Sequence, residues 1–284
     1  MKTIVLSISV FTFLLFNAVA QQTDYPQLRS EAEAQYAQGS YARANEIYAR
    51  VDKNKLSSSD ARWVEFRLAD TSWRAQAATQ TSDNTALEQA QKKLEELIRV
   101  ADKDTDRDLV WAEAHESLGD FFWLRREQMN WSAAWPHYEQ ALDWWAGQRD
   151  LERARDRYLK IIFRAAQSVN YYAYYRGYIP LNVLENALKI SVSANDKSHI
   201  SFLIAMTMPY TGDWVARQRV PDQFEDALKA GKQADWYDDA LFHYAEWMNS
   251  YGIPRQLEND QWQQQPDYVK ALELYRRLTR EFAK

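Results

Sequence analysis

The stretch YAQGSYARANEIYARV, residues 36–51, decides the fold class. Within it Tyr41, Ala44, Tyr48 and Val51 follow one another at steps of three, four and three residues. Such steps place side chains along a single stripe of an α-helix. The stretch therefore predicts a helix whose stripe combines large aromatic rings with a small residue.

The same spacing recurs along the chain, with alanine second in every copy. Several copies with a small residue at the same place indicate a repeat array rather than an isolated amphipathic helix. The clear copies are Leu87/Ala90/Leu94/Leu97, Trp131/Ala134/Tyr138/Ala141 and Tyr268/Ala271/Tyr275/Leu278, and the weaker ones are Leu184/Ala187/Ser191/Ala194 and Phe224/Ala227/Gly231/Ala234.

A partner helix precedes each of the first three stripes, and in it a small residue stands four positions before an aromatic one. These pairs are Ala32 and Tyr36, Ala69 and Trp73, and Gly119 and Trp123. A small residue lets a second helix approach closely, so the predicted unit is a helix hairpin. One hairpin cannot bury both of its faces, so neighbouring hairpins must stack. We therefore predict an all-α fold, an α-solenoid of about six helix pairs without β-sheet, in which residues 259–267 form a polar insertion.

Composition narrows the classes of protein to which the chain can belong. It has 284 residues, 46% of them hydrophobic, a formal net charge of −5 and no cysteine. Such a chain can build a substantial core without disulfides. Mild acidity gives no basic face of the kind that nucleic-acid binding needs, so we expect no nucleic-acid partner.

Residues 1–20 have the pattern of a signal peptide. Lys2 precedes the apolar run TIVLSISVFTFLLF, and the small residues of AVA, residues 18–20, predict cleavage after Ala20. The alternative, a membrane anchor, needs about 20 apolar residues, more than this run supplies. We therefore expect a mature repeat domain over residues 21–284, without a transmembrane segment, in a periplasm or outside the cell.

The repeated motifs resemble tetratricopeptide repeats. Those that carry the resemblance are YAQGSYARANEIYARV, LGDFFW with NWSAAWPHYEQAL, and PDYVKALELYRRL. The resemblance covers most of residues 25–282 and is poor across 150–235. It implies a right-handed superhelix of helix pairs.

Two other stretches resemble the N-terminal helical region of large exported bacterial alpha-2-macroglobulin-like proteins. They are WVEFRLADTSWRAQAATQTSDNT and ESLGDFFWLRREQMNWSAAWPHYEQALDWW. That family traps proteases through β-sandwich domains and often a Cys-Gly-Glu-Gln thioester. This chain has no cysteine and no such motif, so the resemblance implies at most an N-terminal module. The terminal LYRRLTREFAK has no polar capping helix after it. We therefore expect a truncated or standalone relative of that module, whose partner is another protein or the missing downstream part of a larger chain.

No motif for catalysis, cofactor binding or metal binding emerges, so we expect no enzyme, no cofactor and no metal. The four histidines lack the spacing of a zinc site, and we expect packed or surface roles for them. The acidic run DWYDD, residues 235–239, opens a predicted helix, where aspartates favour the positive end of the helix dipole. A cation or basic-peptide site is the alternative for this run.

One segment carries more aromatic rings than a single helix stripe can bury, and we select it as the candidate interaction site. Tyrosine is a common interface anchor. A helix end packed under a long connection, with Gly177 ending the helix, is the alternative. The candidate residues are Tyr171, Tyr172, Tyr174, Tyr175 and Tyr178.

The leading functional hypothesis is an exported, non-enzymatic helical-repeat protein that binds another protein. The rivals are the N-terminal module of a macroglobulin-like protease inhibitor and a glycan-binding protein that uses aromatic stacking.

Overall fold

The computed structural model describes residues 24–78, 83–99, 106–125, 129–167, 177–257 and 261–283. In these ranges the chain is all-α apart from one short two-stranded ribbon. The all-α prediction is therefore confirmed. The predicted signal peptide lies outside the described residues.

Thirteen α-helices occur among the described residues, against about twelve predicted. Three short 3₁₀ turns, at Lys53–Lys55, Met208–Tyr210 and Leu228–Ala230, join some of them. The helices are α1 Tyr25–Ala37, α2 Tyr41–Ala49, α3 Ser58–Ala77, α4 Asn84–Arg99, α5 Leu109–Trp123, α6 Trp131–Ala146, α7 Leu151–Ala166, α8 Leu181–Ile190, α9 Ala194–Thr207, α10 Trp214–Gln218, α11 Val220–Ala227, α12 Tyr237–Ser250 and α13 Tyr268–Glu281.

Local sequence fixes where many of these helices begin. A short polar side chain precedes the first turn and accepts a hydrogen bond from a backbone N–H that has no partner within the helix. This arrangement sets the start of eight helices, including α5 and α6 at the centre of the chain. The capping residues are Ser57, Asp83, Asp108, Asn130, Asp150, Ser193, Asp213 and Asp267.

The predicted stripes coincide with α2, α4, α6 and α13, except that Val51 lies beyond the end of α2 at Ala49, and the alanine of every copy is buried. For the two weaker copies, the prediction that the helix continues through the second half of the stripe is wrong. Helix α8 ends at Ile190, before Ser191 and Ala194, and α11 ends at Ala227. Gly231 has a φ of 82°, a left-handed conformation that ends helical structure there.

Helices contact chiefly their neighbours along the chain. Consecutive helices pack together from α1 to α9, α9 packs on α11, α11 on α12, and α12 on α13. Helix α3 also contacts α5, and α5 contacts α7. Two apolar clusters result, one around α1–α5 and one from the end of α5 to α13, with Leu109 and Phe122 packed against both. Helix α5 is consequently buried along almost its whole length.

The prediction of no β-sheet is wrong for eight residues. Strands β1, Ile253–Gln256, and β2, Trp262–Gln265, pair antiparallel between α12 and α13. The second strand lies in the segment that we expected to be a polar insertion. A β-carbon at Gly252, whose φ is 65°, would lie 1.8 Å from the carbonyl oxygen of Gln265. Only glycine lets the backbone at residue 252 approach the backbone at residue 265 this closely. Gly252 therefore allows β2 to return to the end of α12.

Within the described residues, no helix combines the length and the apolar character that crossing a membrane requires.

The contact of Tyr138 with Gly119 confirms that an aromatic ring on one helix packs against a small residue on the partner helix. A β-carbon placed on Gly119 of α5 would lie 2.6 Å from the ring carbons Cδ1 and Cε1 of Tyr138 on α6. The Tyr138 ring is fully buried, so it has little room to move away.

We expect Gly119→Ala to destabilise the protein by about 1–3 kcal/mol, because overpacking outweighs the roughly 1 kcal/mol that alanine gains in a helix. Denaturant unfolding measures the change. The control is Gly147→Ala, where the nearest contact would be an ordinary 3.6 Å. Equal stability of the two variants would contradict the close packing.

Candidate functional site

A tyrosine–carboxylate hydrogen bond recurs in three helix pairs, buried in the central pair, partly buried in the first and exposed in the last. The tyrosine stands four residues after the stripe alanine, and the carboxylate directly follows a small residue on the preceding long helix. Each bond therefore joins the two helices of one pair at equivalent points. The tyrosine hydroxyls donate from Tyr48 to Glu33, from Tyr138 to Asp120 and from Tyr275 to Glu246.

Arginines from neighbouring pairs complete the first two of these sites. Arg67 on α3 donates through Nε and Nη2 to the two carboxylate oxygens of Glu33, both at 2.8 Å. At Asp120 on α5, Nη2 of Arg74 lies 2.7 Å from one oxygen and Nε of Arg164 lies 2.8 Å from the other. The guanidinium groups thus join α1 to α3, and α3 to α5 and α7.

Two more acids extend the network. Asp70, fully buried on α3, accepts hydrogen bonds from Arg74 and from the Ser117 hydroxyl on α5, at 2.8 and 2.6 Å. Burial alone would raise the pKa of Asp70, but the guanidinium groups of Arg74 and Arg67 lower it below its ordinary value. Asp70 is therefore a carboxylate at neutral pH.

Glu116 is the second of these acids and lies on α5. It accepts from the indole of Trp145 at 2.8 Å and from Arg157 and Arg164 at 2.6 and 3.0 Å. Glu113, one turn earlier, lies 3.1 Å from Arg157. Burial and the nearby Glu116 raise the pKa of Glu113. The nearby Arg157 and Arg67 oppose this shift.

These contacts indicate a structural role for the network. A buried carboxylate is costly unless hydrogen bonds and opposite charge compensate it. Asp70, Asp120 and Glu116 each receive at least two such donors, and the second oxygen of Asp70 lies 3.6 Å from the guanidinium group of Arg67. The network holds successive helices in register along one line through α1, α3, α5 and α7.

The histidines occupy packed positions, as the sequence suggested for them. Nδ1 of His115 lies 3.0 Å from Nδ1 of His137, a pairing of α5 with α6 that their spacing in the sequence did not reveal. The ring of His199 stacks between Phe163 and Trp236, with centroid distances of 4.5 and 4.1 Å. No group of three or more potential metal ligands occurs in the ranges that the structure describes.

Of the five candidate tyrosines, only Tyr178 lies within the described residues. Its hydroxyl donates to the carbonyl oxygens of Ala165 and Ala166, each at 3.2 Å. Its ring contacts Trp123 and Trp131 at centroid distances of 5.1 and 4.4 Å. Tyr178 therefore anchors the connection between α7 and α8, and Tyr171, Tyr172, Tyr174 and Tyr175 lie outside the described residues. The interaction site that we selected on these tyrosines stays a prediction.

The acidic run at residues 235–239 meets the start of a helix, as predicted. Helix α12 begins at Tyr237, so Asp238 and Asp239 occupy its first turn. Burial and the neighbouring Asp238 raise the pKa of Asp239. The two aspartates lie where the helix dipole favours negative charge.

An apolar groove between α6, α7 and α8 is the accessible feature that the sequence did not reveal. Helix α7 has 16 residues and α8 has 10, about 24 Å against 15 Å of helix, so α8 leaves the first turns of α7 uncovered. The cavity there measures about 430 Å³ and includes Trp145, Tyr158 and Ile190. Leu151, at its edge, is 74% exposed. Arg155 and Lys189 also line the groove.

Comparison with protein-family models, with curated proteins and with solved structures found no match to this chain. The resemblances to tetratricopeptide repeats and to the macroglobulin-like module therefore stay predictions that rest on the quoted motifs.

We expect Asp120→Asn to cost about 3–5 kcal/mol of unfolding free energy, because the buried guanidinium groups of Arg74 and Arg164 would each lose one of their two carboxylate partners. Urea unfolding followed by circular dichroism measures the loss. The control is Asp226→Asn, which removes the exposed pair with Lys229 and should change stability by less than about 1 kcal/mol. Similar losses in both variants would show that the network does not hold the helices together.

We expect stability to fall on acidification below pH 6.5. Burial lowers the pKa of His199 to about 4 and, together with His137 and Arg107, that of His115 to about 3. The folded state therefore binds fewer protons than the unfolded chain between these values and pH 6.5. The stabilisation is complete above pH 6.5 and is lost as the pH falls towards 4, by up to about 1.4 kcal/mol per pH unit for each histidine.

Unfolding free energies measured from pH 7.5 to pH 4.5 check this dependence. His199→Phe retains a ring between Phe163 and Trp236 and should reduce the slope between pH 6.5 and 4.5. An unchanged slope in this variant would contradict the role of His199.

Proposed function

We propose that the chain is an exported, non-enzymatic helical-repeat protein, an α-solenoid of six stacked helix pairs that binds another protein. The pairs would be α1/α2, α3/α4, α5/α6, α7/α8, α9/α11 and α12/α13. Contacts between sequence neighbours support this division, since each pair in a solenoid leans on the pairs beside it. The apolar segment at residues 1–20 supports export.

Equivalent packing in each pair is a further support. The second helix of every proposed pair carries one buried alanine at the second position of its stripe. The recurring tyrosine–carboxylate bond joins three of the six pairs at matching points. The six alanines are Ala44, Ala90, Ala134, Ala187, Ala227 and Ala271.

The observation that carries the binding function is the groove between α6, α7 and α8. A leucine as exposed as Leu151, beside an apolar cavity, is a feature of protein interaction sites. Arg155 and Lys189 place positive charge around it, and Lys189 has no ion-pair partner among the described residues. The occupant that fits is an apolar side chain of a partner protein next to an acidic residue of that partner.

Pull-down from a periplasmic extract with Leu151→Glu tests this function. We expect the immobilised wild-type protein to retain a partner that Leu151→Glu loses, because a carboxylate at residue 151 puts charge beside an apolar contact. The matched control is Val215→Glu on α10, where valine is 66% exposed away from the groove. This control should retain the partner.

Two results would overturn the proposal. One is retention of the same proteins by Leu151→Glu and wild type. The other is loss of the partner in both substituted proteins, which would indicate a general effect of added negative charge.

A further inference from the structure

The groove between α6, α7 and α8 contains a tyrosine whose hydroxyl is available to a ligand. Tyr158 on α7 lines the groove and is only 7% exposed. Its hydroxyl makes no hydrogen bond to another residue within the described ranges. Burial, together with the charge of Asp143, raises the pKa of Tyr158 to about 12, so the hydroxyl keeps its proton at pH 7. Because a buried tyrosine hydroxyl usually has a partner, Tyr158 points to a ligand that accepts a hydrogen bond.

Two cations stand beside this hydroxyl. Arg155 precedes Tyr158 by three residues and therefore lies on the same face of α7. Its ion pair within the described residues is with the adjacent Asp156, at 3.7 Å, which is beyond hydrogen-bond distance. Lys189 comes from the last turn of α8 and is exposed. Asp143 is not among the residues that line the groove, and the charged residues that do line it are both basic.

Elsewhere in the chain the same two groups, a tyrosine hydroxyl and a guanidinium, bind one carboxylate. Asp120 accepts from the hydroxyl of Tyr138 and lies beside Nε of Arg164, both at 2.8 Å. The equivalent set in the first pair is Glu33, Tyr48 and Arg67. In the groove Tyr158 and Arg155 supply the hydroxyl and the guanidinium, but no carboxylate among the described residues accepts a hydrogen bond from Tyr158. A carboxylate is thus the group that these side chains are suited to bind.

The rest of the groove is suited to an apolar side chain. Leu151 precedes Arg155 by one helical turn, about 6 Å along α7, and is 74% exposed. Ile190, at the end of α8, is 38% exposed. Between them Ala154 lines the groove with no more than a methyl group, which leaves room for a larger side chain above it. The fitting ligand therefore carries an apolar side chain and a carboxylate about one helical turn apart.

We propose that the groove binds a short amphipathic helix of a partner protein, in which an aspartate or glutamate accepts a hydrogen bond from Tyr158 and pairs with Arg155. A large apolar side chain one turn away on that helix covers Leu151 and Ala154. Side chains three or four residues apart share one face of a helix, which matches this spacing. Because α7 has 16 residues and α8 has 10, about 9 Å of α7 is free to receive the helix. The proposal rests on the groove as the binding site of the proposed function and names the contacts that select the partner.

Peptides that bind the groove can be selected from a phage-displayed random library of about 12 residues, roughly three helical turns. The whole chain is the bait, and peptides that Leu151→Glu also retains are discarded. We expect the remaining peptides to share an acidic residue three or four positions from a large apolar one. Each peptide is then made again with asparagine or glutamine in place of that acid, and fluorescence anisotropy measures the binding of both forms.

A double-mutant cycle separates the hydrogen bond from a general effect on the fold. We expect Tyr158→Phe to weaken binding of the acidic peptide about tenfold and of its amide form less than about twofold, because an amide accepts a weaker hydrogen bond than a carboxylate. Arg155→Gln should give the same pattern. The matched control is Lys160→Gln, which removes an exposed cation of α7 outside the groove and should leave both affinities unchanged.

Selected peptides without a shared acidic residue, or an equal effect of Tyr158→Phe on the acidic and amide forms, would overturn the proposal. A library in which Leu151→Glu retains every selected peptide would overturn it as well. So would self-association of the chain that Leu151→Glu abolishes, which would identify a second copy as the occupant. A lipid carboxylate that native mass spectrometry finds on wild type and not on Leu151→Glu would likewise replace the helix.

Failure here and failure of the proposed function can be told apart. Peptides that depend on Leu151 but not on Tyr158 or Arg155 would leave the groove as a binding site and remove only the carboxylate contact. Failure of the groove itself appears in the pull-down, when Leu151→Glu retains the same proteins as wild type.

Discussion

The structure depends on carboxylates that are buried between helices and must be neutralised there. Asp120 is the central example, because it receives a tyrosine hydroxyl from the other helix of its pair and guanidinium groups from the pairs before and after it. In a low-dielectric interior, loss of any of these donors would leave the buried carboxylate with less compensation and would destabilise the fold. One side chain therefore couples the positions of α3, α5, α6 and α7. The register of three successive helix pairs follows from this coupling.

Apolar packing and the polar network act together along the same helices. Small residues let the helices approach, as Gly119 does beneath the ring of Tyr138. The same approach brings the Tyr138 hydroxyl to Asp120 at 2.8 Å. Close packing consequently makes the hydrogen bond possible, and the hydrogen bond fixes the ring in its place. The same bond recurs between Tyr48 and Glu33 and, at an exposed position, between Tyr275 and Glu246.

Interruption of the regular helix pattern opens the apolar groove. Where α8 is shorter than α7, an apolar groove opens beside Leu151. At α12/α13 the tyrosine–carboxylate bond recurs on an exposed carboxylate. The groove thus arises because α8 is too short to cover the whole of α7.

The sequence by itself determined the all-α class, the positions of most helices and the six buried alanines, because helical periodicity and N-capping act over a few residues. It failed at Ser191, Gly231 and Gly252, where a chain reversal or a close backbone contact outweighs periodicity. Only the tertiary structure decided which acids meet which arginines, that His115 touches His137, and that Leu151 borders a groove. Apart from the bond between Asp70 and Arg74, which stand four residues apart, these contacts join residues more than 20 positions apart, and no local spacing specifies them.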